Sequence, residues 1–149
     1  MTEYLKFIID KFTFQIATDR FYSGEGLWAR LEQNLVRIGI SDFLQQRSGD
    51  VAFAEFKPVG MKVAMGDEIA FIETIKVNIS LTSPISGKVI EINPALELSP
   101  EVINQDPYET GWLIVIEPVD WYSEVKRLLN PQTYFARIKG EAEQEASQK

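Results

Sequence analysis

Along most of this chain, hydrophobic positions alternate with polar ones over short runs, the period-2 signature of strands half-buried in a sheet. Phe12, Phe14 and Ile16 alternate with Thr13, Gln15 and Ala17, which predicts an early strand of this kind. Leu27 to Leu31 and Leu35 to Ile38 flank Glu32-Gln33-Asn34 and predict a hairpin whose turn lacks glycine and which Gly39 ends. Ser41 offers an N-cap to a helical turn through Phe43, Leu44 and Gln45, before Gly49-Asp50 breaks the chain again. Val51 to Phe56 and Met61 to Ala64 are the next strands, punctuated by Pro58-Val59-Gly60 and by Gly66-Asp67.

The stretch Ile69 to Thr82 contains neither Gly nor Pro. Ile69, Phe71, Ile75, Val77, Ile79 and Leu81 share one parity, broken only by Glu73, while Thr74, Lys76, Asn78, Ser80 and Thr82 share the other. One face is thus expected inward, and Lys76 outward. The run is long for a single strand, so a reversal is expected inside it, with Asn78 the nearby residue that tolerates left-handed backbone. Ser83 to Gly87 reads as a turn and Lys88 to Ile92 as a strand; with Gly66-Asp67 and the alternation after it, they suggest a faint internal duplication.

Pro94 and Pro100 follow Asn93 and Ser99, both able to cap, so Ala95 to Asn104 should hold one or two helical turns. Asp106-Pro107-Tyr108 reads as a turn, and Gly111 leads into a buried strand, Trp112 to Ile116. Trp121, Val125, Leu128 and Leu129 recur at helical spacing until Asn130-Pro131, and Tyr134, Phe135 and Ile138 suit one more short helix. Residues 140–149 are polar and are expected to fray.

Composition narrows the chemistry. A chain of 149 residues with 45% hydrophobic and 11% aromatic residues can build one core, not two. Fifteen Lys and Arg against 22 Asp and Glu leave a net charge of −7, which disfavours nucleic acid and anionic membranes as partners. Cysteine and histidine are both absent, which removes disulfides, thiolate nucleophiles, ordinary zinc sites and the one side chain that titrates unperturbed near neutral pH. No acid/base or nucleophile constellation emerges, so no catalytic residue and no metal ligand is expected, and any reaction should depend on an attached group. The opening apolar run is interrupted by Asp10 and Lys11, so no signal peptide or membrane span is read and a cytoplasmic monomer is expected.

Lys76 is the candidate for attachment. A lysine held out from an apolar-backed hairpin is presented on a rigid support, as a modifying ligase and successive partners would each require. An outward lysine on a strand is ordinarily just a solvated edge charge, and position alone does not separate the two. Trp28 and Trp112 are expected to be core residues, and Gly66 and Gly87 to serve turn geometry.

Glu73-Thr74-Ile75-Lys76, Ser83 to Val89, Asn93 to Leu96, Asn104 to Tyr108 and Gly111 to Ile114 resemble, in order and spacing, the glycine cleavage H-proteins, with Gly39 to Phe43 and Gly49-Asp50 continuing the match upstream. The resemblance covers roughly Glu25 to Pro118. It implies a mainly β fold, a barrel-sandwich hybrid of lipoyl-domain type with short peripheral helices and a C-terminal helix. It further implies lipoic acid in amide linkage to Lys76, and makes Glu73 a candidate recognition residue for the lipoate-attaching enzyme or a partner; from the residues alone Glu73 is equally a solvated carboxylate. The organisation expected is an N-terminal extension packed on the domain (1–21), the lipoyl-like unit (22–118), a helical segment (119–139) and a disordered tail (140–149).

Gly26-Leu27 stands where that family usually has His-Glu before the first-strand tryptophan, and Val77-Asn78 where alanine usually follows the lysine. Glu73 to Asn78, with Gln45 to Asp50, looks more like the lipoate-binding proteins that accompany the heterodisulfide-reductase-like complex of sulfur oxidisers. The leading expectation is therefore a lipoyl carrier in cytoplasmic sulfur oxidation; the alternative is a glycine cleavage H-protein serving the glycine cleavage enzymes. Two remoter readings are a biotin carrier, disfavoured because Ile75 and Val77 replace flanking methionines, and an unmodified acidic interaction module.

Overall fold

A computed structural model describes residues 1–148. Strand β1 (Tyr4–Ile9) turns at Asp10, which takes a positive φ of 56°, and pairs antiparallel with β2 (Phe12–Ala17). Only β2 is legible as alternation; β1 forms because β2 offers it a ladder. Strand β3 (Phe21–Tyr22) leads into the hairpin β4 (Leu27–Glu32) and β5 (Leu35–Ile40), whose turn places Gln33 at φ 60°. Gly39 does not end this hairpin. It lies inside β5 opposite Trp28, whose ring stands 2.5 Å from where a Cβ would be. Ser41 caps helix α1 (Asp42–Ser48) as its sequence suggests, its hydroxyl accepting from Leu44 N–H at 3.2 Å, which contributes about 1 kcal/mol.

Strands β6 (Val51–Phe56) and β7 (Lys62–Val63) precede β8 (Glu68–Thr74) and β9 (Asn78–Thr82). The reversal falls at Ile75-Lys76, and Asn78 is the first residue of the returning strand. The uniform parity also fails: the register shifts between Glu68 and Ala70, so Ala70 and Ile72 are buried while Phe71 is only half-buried and Ile75 and Val77 are exposed. Strand β10 (Gly87–Ile92) is followed by a 3-10 turn at Pro94–Leu96, capped by Asn93, and by helix α2 (Val102–Gln105). Strand β11 (Ile114–Pro118) starts two residues later than its apolar pattern, because Trp112 packs half-buried under the Arg37 guanidinium.

Helix α3 (Trp121–Glu124) and a 3-10 turn at Val125–Arg127 lead to α4 (Pro131–Ser147), a continuous helix where a short one and a fraying tail were expected. Gly140 is tolerated because Ala142, two residues further on, is buried and Arg47 pairs with both Glu141 and Glu145. Lys149 of that expected tail lies outside the described residues.

Strands β3-β4-β5-β11-β10-β7 form one sheet in that order and β6-β8-β9 a second, and the main core lies between them, built from Leu27, Ile38, Ile40 and Ile116 against Ile69, Ile72 and Leu81. A second cluster under the β1-β2 hairpin and α4 joins Phe7, Trp28, Phe43, Tyr108 and Ile138, with Tyr22 and Tyr134 stacked 4.3 Å apart. Trp28 is fully buried, its Nε1 donating to the Pro107 carbonyl at 3.0 Å.

Arg20 is the buried charge of this region. Its guanidinium lies 4.6 Å from the Trp28 ring centre and donates to Asp19 and to the Tyr108 carbonyl, each at 2.7 Å. Burial pushes the Asp19 carboxyl up, but the hydrogen bond and charge of Arg20 outweigh it and hold the group below its ordinary range. Glu32 behaves alike: burial raises it, and hydrogen bonds from Arg30 and Arg37 outweigh burial and hold it below its ordinary range. Both carboxyls have a lower pKa folded than unfolded, so their stabilisation is complete above about pH 5, just over the unfolded range, and disappears as pH falls through the folded values. The urea midpoint is expected to decline on acidification below about pH 5, and the decline to be shallower in Asp19→Asn with Glu32→Gln.

Candidate functional site

The site is built on the tip of the β8-β9 hairpin. Glu73 and Asn78 close its last paired rung, and Thr74 N–H donates to the Val77 carbonyl at 2.8 Å across the four-residue turn. No glycine is needed, because Thr74 supplies the turn's missing acceptor: its Oγ1 takes the N–H of Lys76 at 3.1 Å and of Val77 at 2.9 Å. The Thr74 hydroxyl in turn donates to the Ser48 carbonyl at 2.7 Å, and Ile75 N–H donates to Asp50 at 3.1 Å. The tip is therefore tied to the end of α1 rather than left free.

That end of α1 is held from the other side by Asn104. Its Nδ2 donates to the Gly49 carbonyl at 2.9 Å and its Oδ1 accepts from Val51 N–H at 2.9 Å, so one side chain ties α2 to the α1-β6 junction. Gly49 has φ 90°, and a Cβ there would stand 2.9 Å from Lys76 Cδ; the lysine stem lies across a surface only glycine leaves open. Lys76 is exposed and its Nζ donates to the Arg47 carbonyl at 3.2 Å. Ile75, at 75% exposure, and Val77, at 46%, flank it as apolar shoulders. Glu73 is exposed two residues before the turn's centre, and nothing in its contacts distinguishes recognition from simple solvation.

Thr74, Arg47, Gly49 and Asn104 were not among the residues read from the sequence as functional. Thr74, two positions before a lysine in a run without glycine, carries the one local signal that could have revealed the turn; the others converge only through the fold. Gly66 does serve a turn, with φ 94°, whereas Gly87 serves close packing of β10 against β11. Replacing Thr74 by valine leaves two N–H groups and the Ser48 carbonyl without their partner. It is expected to cost about 1–2 kcal/mol, read from urea unfolding of the variant beside the unsubstituted protein.

Fold and tip together define a carrier domain: a stiff β scaffold that presents one amine, with no group of three or more His, Cys, Asp or Glu among the described residues placed to hold a metal. Residues 20–141 match the glycine cleavage H-protein family, and the chain belongs to it. It is 43% identical over 120 residues to the glycine cleavage system H protein of Oceanobacillus iheyensis, covering 80% of this chain and 94% of that one. The corresponding protein of Anaeromyxobacter dehalogenans is 42% identical over 124 residues, 83% of this chain and 96% of the relative. The crystal structure of the H protein from Mycobacterium marinum superposes with a TM-score of 0.75 at 29% identity, covering 82% of this chain and 98% of that one. The mainly β, barrel-sandwich expectation holds. Members of this family are non-catalytic carriers of lipoate attached covalently to a lysine, and this protein is such a carrier. Because these relatives bear the glycine cleavage name, they favour the H-protein alternative over the sulfur-oxidation expectation. No helix among the described residues is long and apolar enough to cross a membrane.

Proposed function

We propose that Lys76 is the lipoylated residue and that the protein carries the aminomethyl cargo of glycine cleavage between the decarboxylase and the aminomethyltransferase in the cytoplasm. The observation that supports this reading most is the Lys76 tip itself, an exposed amine on a turn anchored through Thr74 and Ile75 to the end of α1. The residues present fit the group: Gly49 leaves the lysine stem clear, and the amide formed at Nζ keeps one N–H that can still donate to the Arg47 carbonyl. Bound there, lipoate supplies a disulfide that is reduced as cargo is accepted and must be reoxidised afterwards.

The protein's own part is presentation. Amidation removes one positive charge, taking −7 to −8, so docking is steered by basic patches on the lipoate-attaching enzyme and the glycine cleavage enzymes and slows as salt rises. The exposed Ile75 and Val77 give those partners an apolar contact on either side of the modified residue, and Glu73 a charge to read.

A sulfur carrier serving a heterodisulfide-reductase-like complex is the second reading. It is favoured by Leu27, fully buried in the position that follows Gly26, and by Val77-Asn78 beside the lysine, both departures from the usual H-protein pattern. Incubating the lipoylated protein with glycine decarboxylase, glycine and pyridoxal phosphate separates the two. A mass gain for the aminomethyl group is the expected result; a fully lipoylated protein that is never loaded overturns the glycine cleavage role and leaves the sulfur carrier.

A further inference from the structure

The β1-β2 hairpin precedes residue 20, where the match to the H-protein family begins, and the rest of the molecule treats its two edges differently. Thr18 N–H donates to the Glu3 carbonyl at 2.9 Å. By the alternation of an antiparallel ladder, Leu5, Phe7 and Ile9 therefore turn their backbone groups toward β2, while Tyr4, Lys6 and Ile8 turn theirs away. The outer edge of β2 is closed. Gln15 N–H donates to Asp42 at 2.9 Å, and the carbonyls of Thr13, Gln15 and Ala17 accept from Gln46, Tyr108 and Tyr22. The outer edge of β1 is open: among the described residues nothing bonds the outward N–H or carbonyl of Lys6 or Ile8. Both side chains are exposed, Ile8 at 69%, and the strand has neither the proline nor the bulge that blunts an edge.

We propose that β1 pairs antiparallel with β1 of a second copy about a two-fold axis at Phe7, joining two hairpins into one sheet where the sequence led us to expect a monomer. The strand is self-complementary in that register. Outward groups can bond only outward groups, so the axis must pass through a residue near the strand's middle. An axis at Lys6 sets two ammonium groups against each other, and one at Ile8 pushes half of the rungs into the turn at Asp10. At Phe7, Lys6 and Ile8 of opposite copies exchange reciprocal backbone hydrogen bonds, and the lysine stem lies along the isoleucine with its ammonium free. Leu5 then faces Ile9, and beyond the strand ends Glu3 faces Lys11 with opposite charge. The chain's −7 opposes self-association in general, but at this edge Glu3 and Asp10 balance Lys6 and Lys11. It is β2 that bonds α1, and α1 that holds the Lys76 tip, so pairing through β1 uses the opposite edge of the hairpin and leaves Lys76 of each copy presented. The pairing stands apart from whatever Lys76 carries.

Sedimentation of the full chain from about 10 μM to about 1 mM is expected to carry the weight-average mass from 17.0 kDa toward twice that value. Over the same range amide hydrogen exchange at Lys6 and Ile8 is expected to slow about fivefold, while Leu5 and Phe7, already bonded to β2, change little. Two substitutions at the exposed Ile8 test the register, with circular dichroism checking that each leaves the fold intact. Ile8→Lys sets an ammonium against Lys6 of the other copy on both sides of the axis and is expected to raise the dimer dissociation constant about tenfold or more. Ile8→Glu sets a carboxylate there and is expected to hold or lower it. A mass that stays at 17.0 kDa throughout overturns the proposal and leaves the edge to a strand of another protein. A mass that rises while the Lys6 and Ile8 amides stay unprotected overturns it by placing the contact elsewhere. An Ile8→Glu chain that dissociates as readily as Ile8→Lys overturns the register and the self-complementarity with it.

Discussion

Lys76→Arg is expected to leave a folded protein that lipoate ligase cannot modify. Arginine keeps the charge and much of the stem, but its guanidinium stays protonated at any physiological pH and is no acyl acceptor. Because Lys76 is exposed and its single side-chain hydrogen bond is to an exposed carbonyl, the unfolding free energy from urea titration should change by no more than about 0.5 kcal/mol. Carrier activity should vanish altogether, since no tether means no cargo. The intact mass after incubation with ligase and lipoic acid is the measurement. A mass increase equal to that of the unsubstituted protein would show that another lysine takes the group and that the hairpin tip is only a solvated turn.

Two glycine-to-alanine substitutions should move stability in opposite directions. At Gly87 a Cβ would stand 2.2 Å from the Glu117 carbonyl oxygen and 2.5 Å from Ile116 Cγ2. The first of these is backbone in the adjacent strand and cannot rotate aside, so the start of β10 must part from the end of β11 within the larger sheet. The cost is expected to be about 3 kcal/mol, with the lipoylation rate falling only as far as the unfolded fraction grows. At Gly140 a Cβ meets nothing within 4 Å, the residue is inside α4, and alanine should stabilise by about 0.5–1 kcal/mol. Chemical denaturation of the two variants side by side checks both signs; a neutral Gly87→Ala would mean that the strands have slack there.

The same pair shows where the residues alone were informative. Gly87 looks like a turn glycine because it follows Ser83-Pro84-Ile85-Ser86, yet its φ is not positive; the strand that excludes a side chain there is Ile114–Pro118, far along the chain. Gly39 is the same lesson, a strand residue kept small by Trp28 rather than a stop. Local rules served well where they were self-contained: the Ser41 cap, the Leu27–Ile40 hairpin and the existence of β2 are each decided within a few residues, although the two faces of β2 do not separate as its alternation predicts, since Phe12 is exposed and both Ile16 and Ala17 are buried. They failed where a partner supplied the reason. β1 takes shape from β2, the register shift near Ile69 from pairing with β9, and the persistence of α4 past Gly140 from Arg47.

The candidate site divides along the same line. Lys76 was legible as an outward lysine, and the ordered motifs around it gave it a role. The turn beneath it was misplaced toward Asn78 because parity counting has no means of seeing a threonine hydroxyl substitute for a glycine. Asn104 was invisible for a different reason: its value lies in reaching Gly49 and Val51, which are more than fifty positions away in sequence. Arg20 was passed over as one basic residue among fifteen, though two aromatic rings and a backbone carbonyl enclose it.

A groove beside α1 is lined by residues 9–14 of the first hairpin, by Phe43 and Arg47, and by Ala142 and Ala146 of α4, on either side of Lys76 in the order of synthesis. On a translating ribosome the lysine hairpin can therefore emerge and pair while one flank of its neighbourhood has yet to be made. A nascent polypeptide in that state offers the Lys76 amine while the α4 residues that pair with Arg47 are still missing. Timing of acylation relative to release thus becomes a physical variable for this molecule, set by how late in translation the Ala142 to Ala146 turn is delivered.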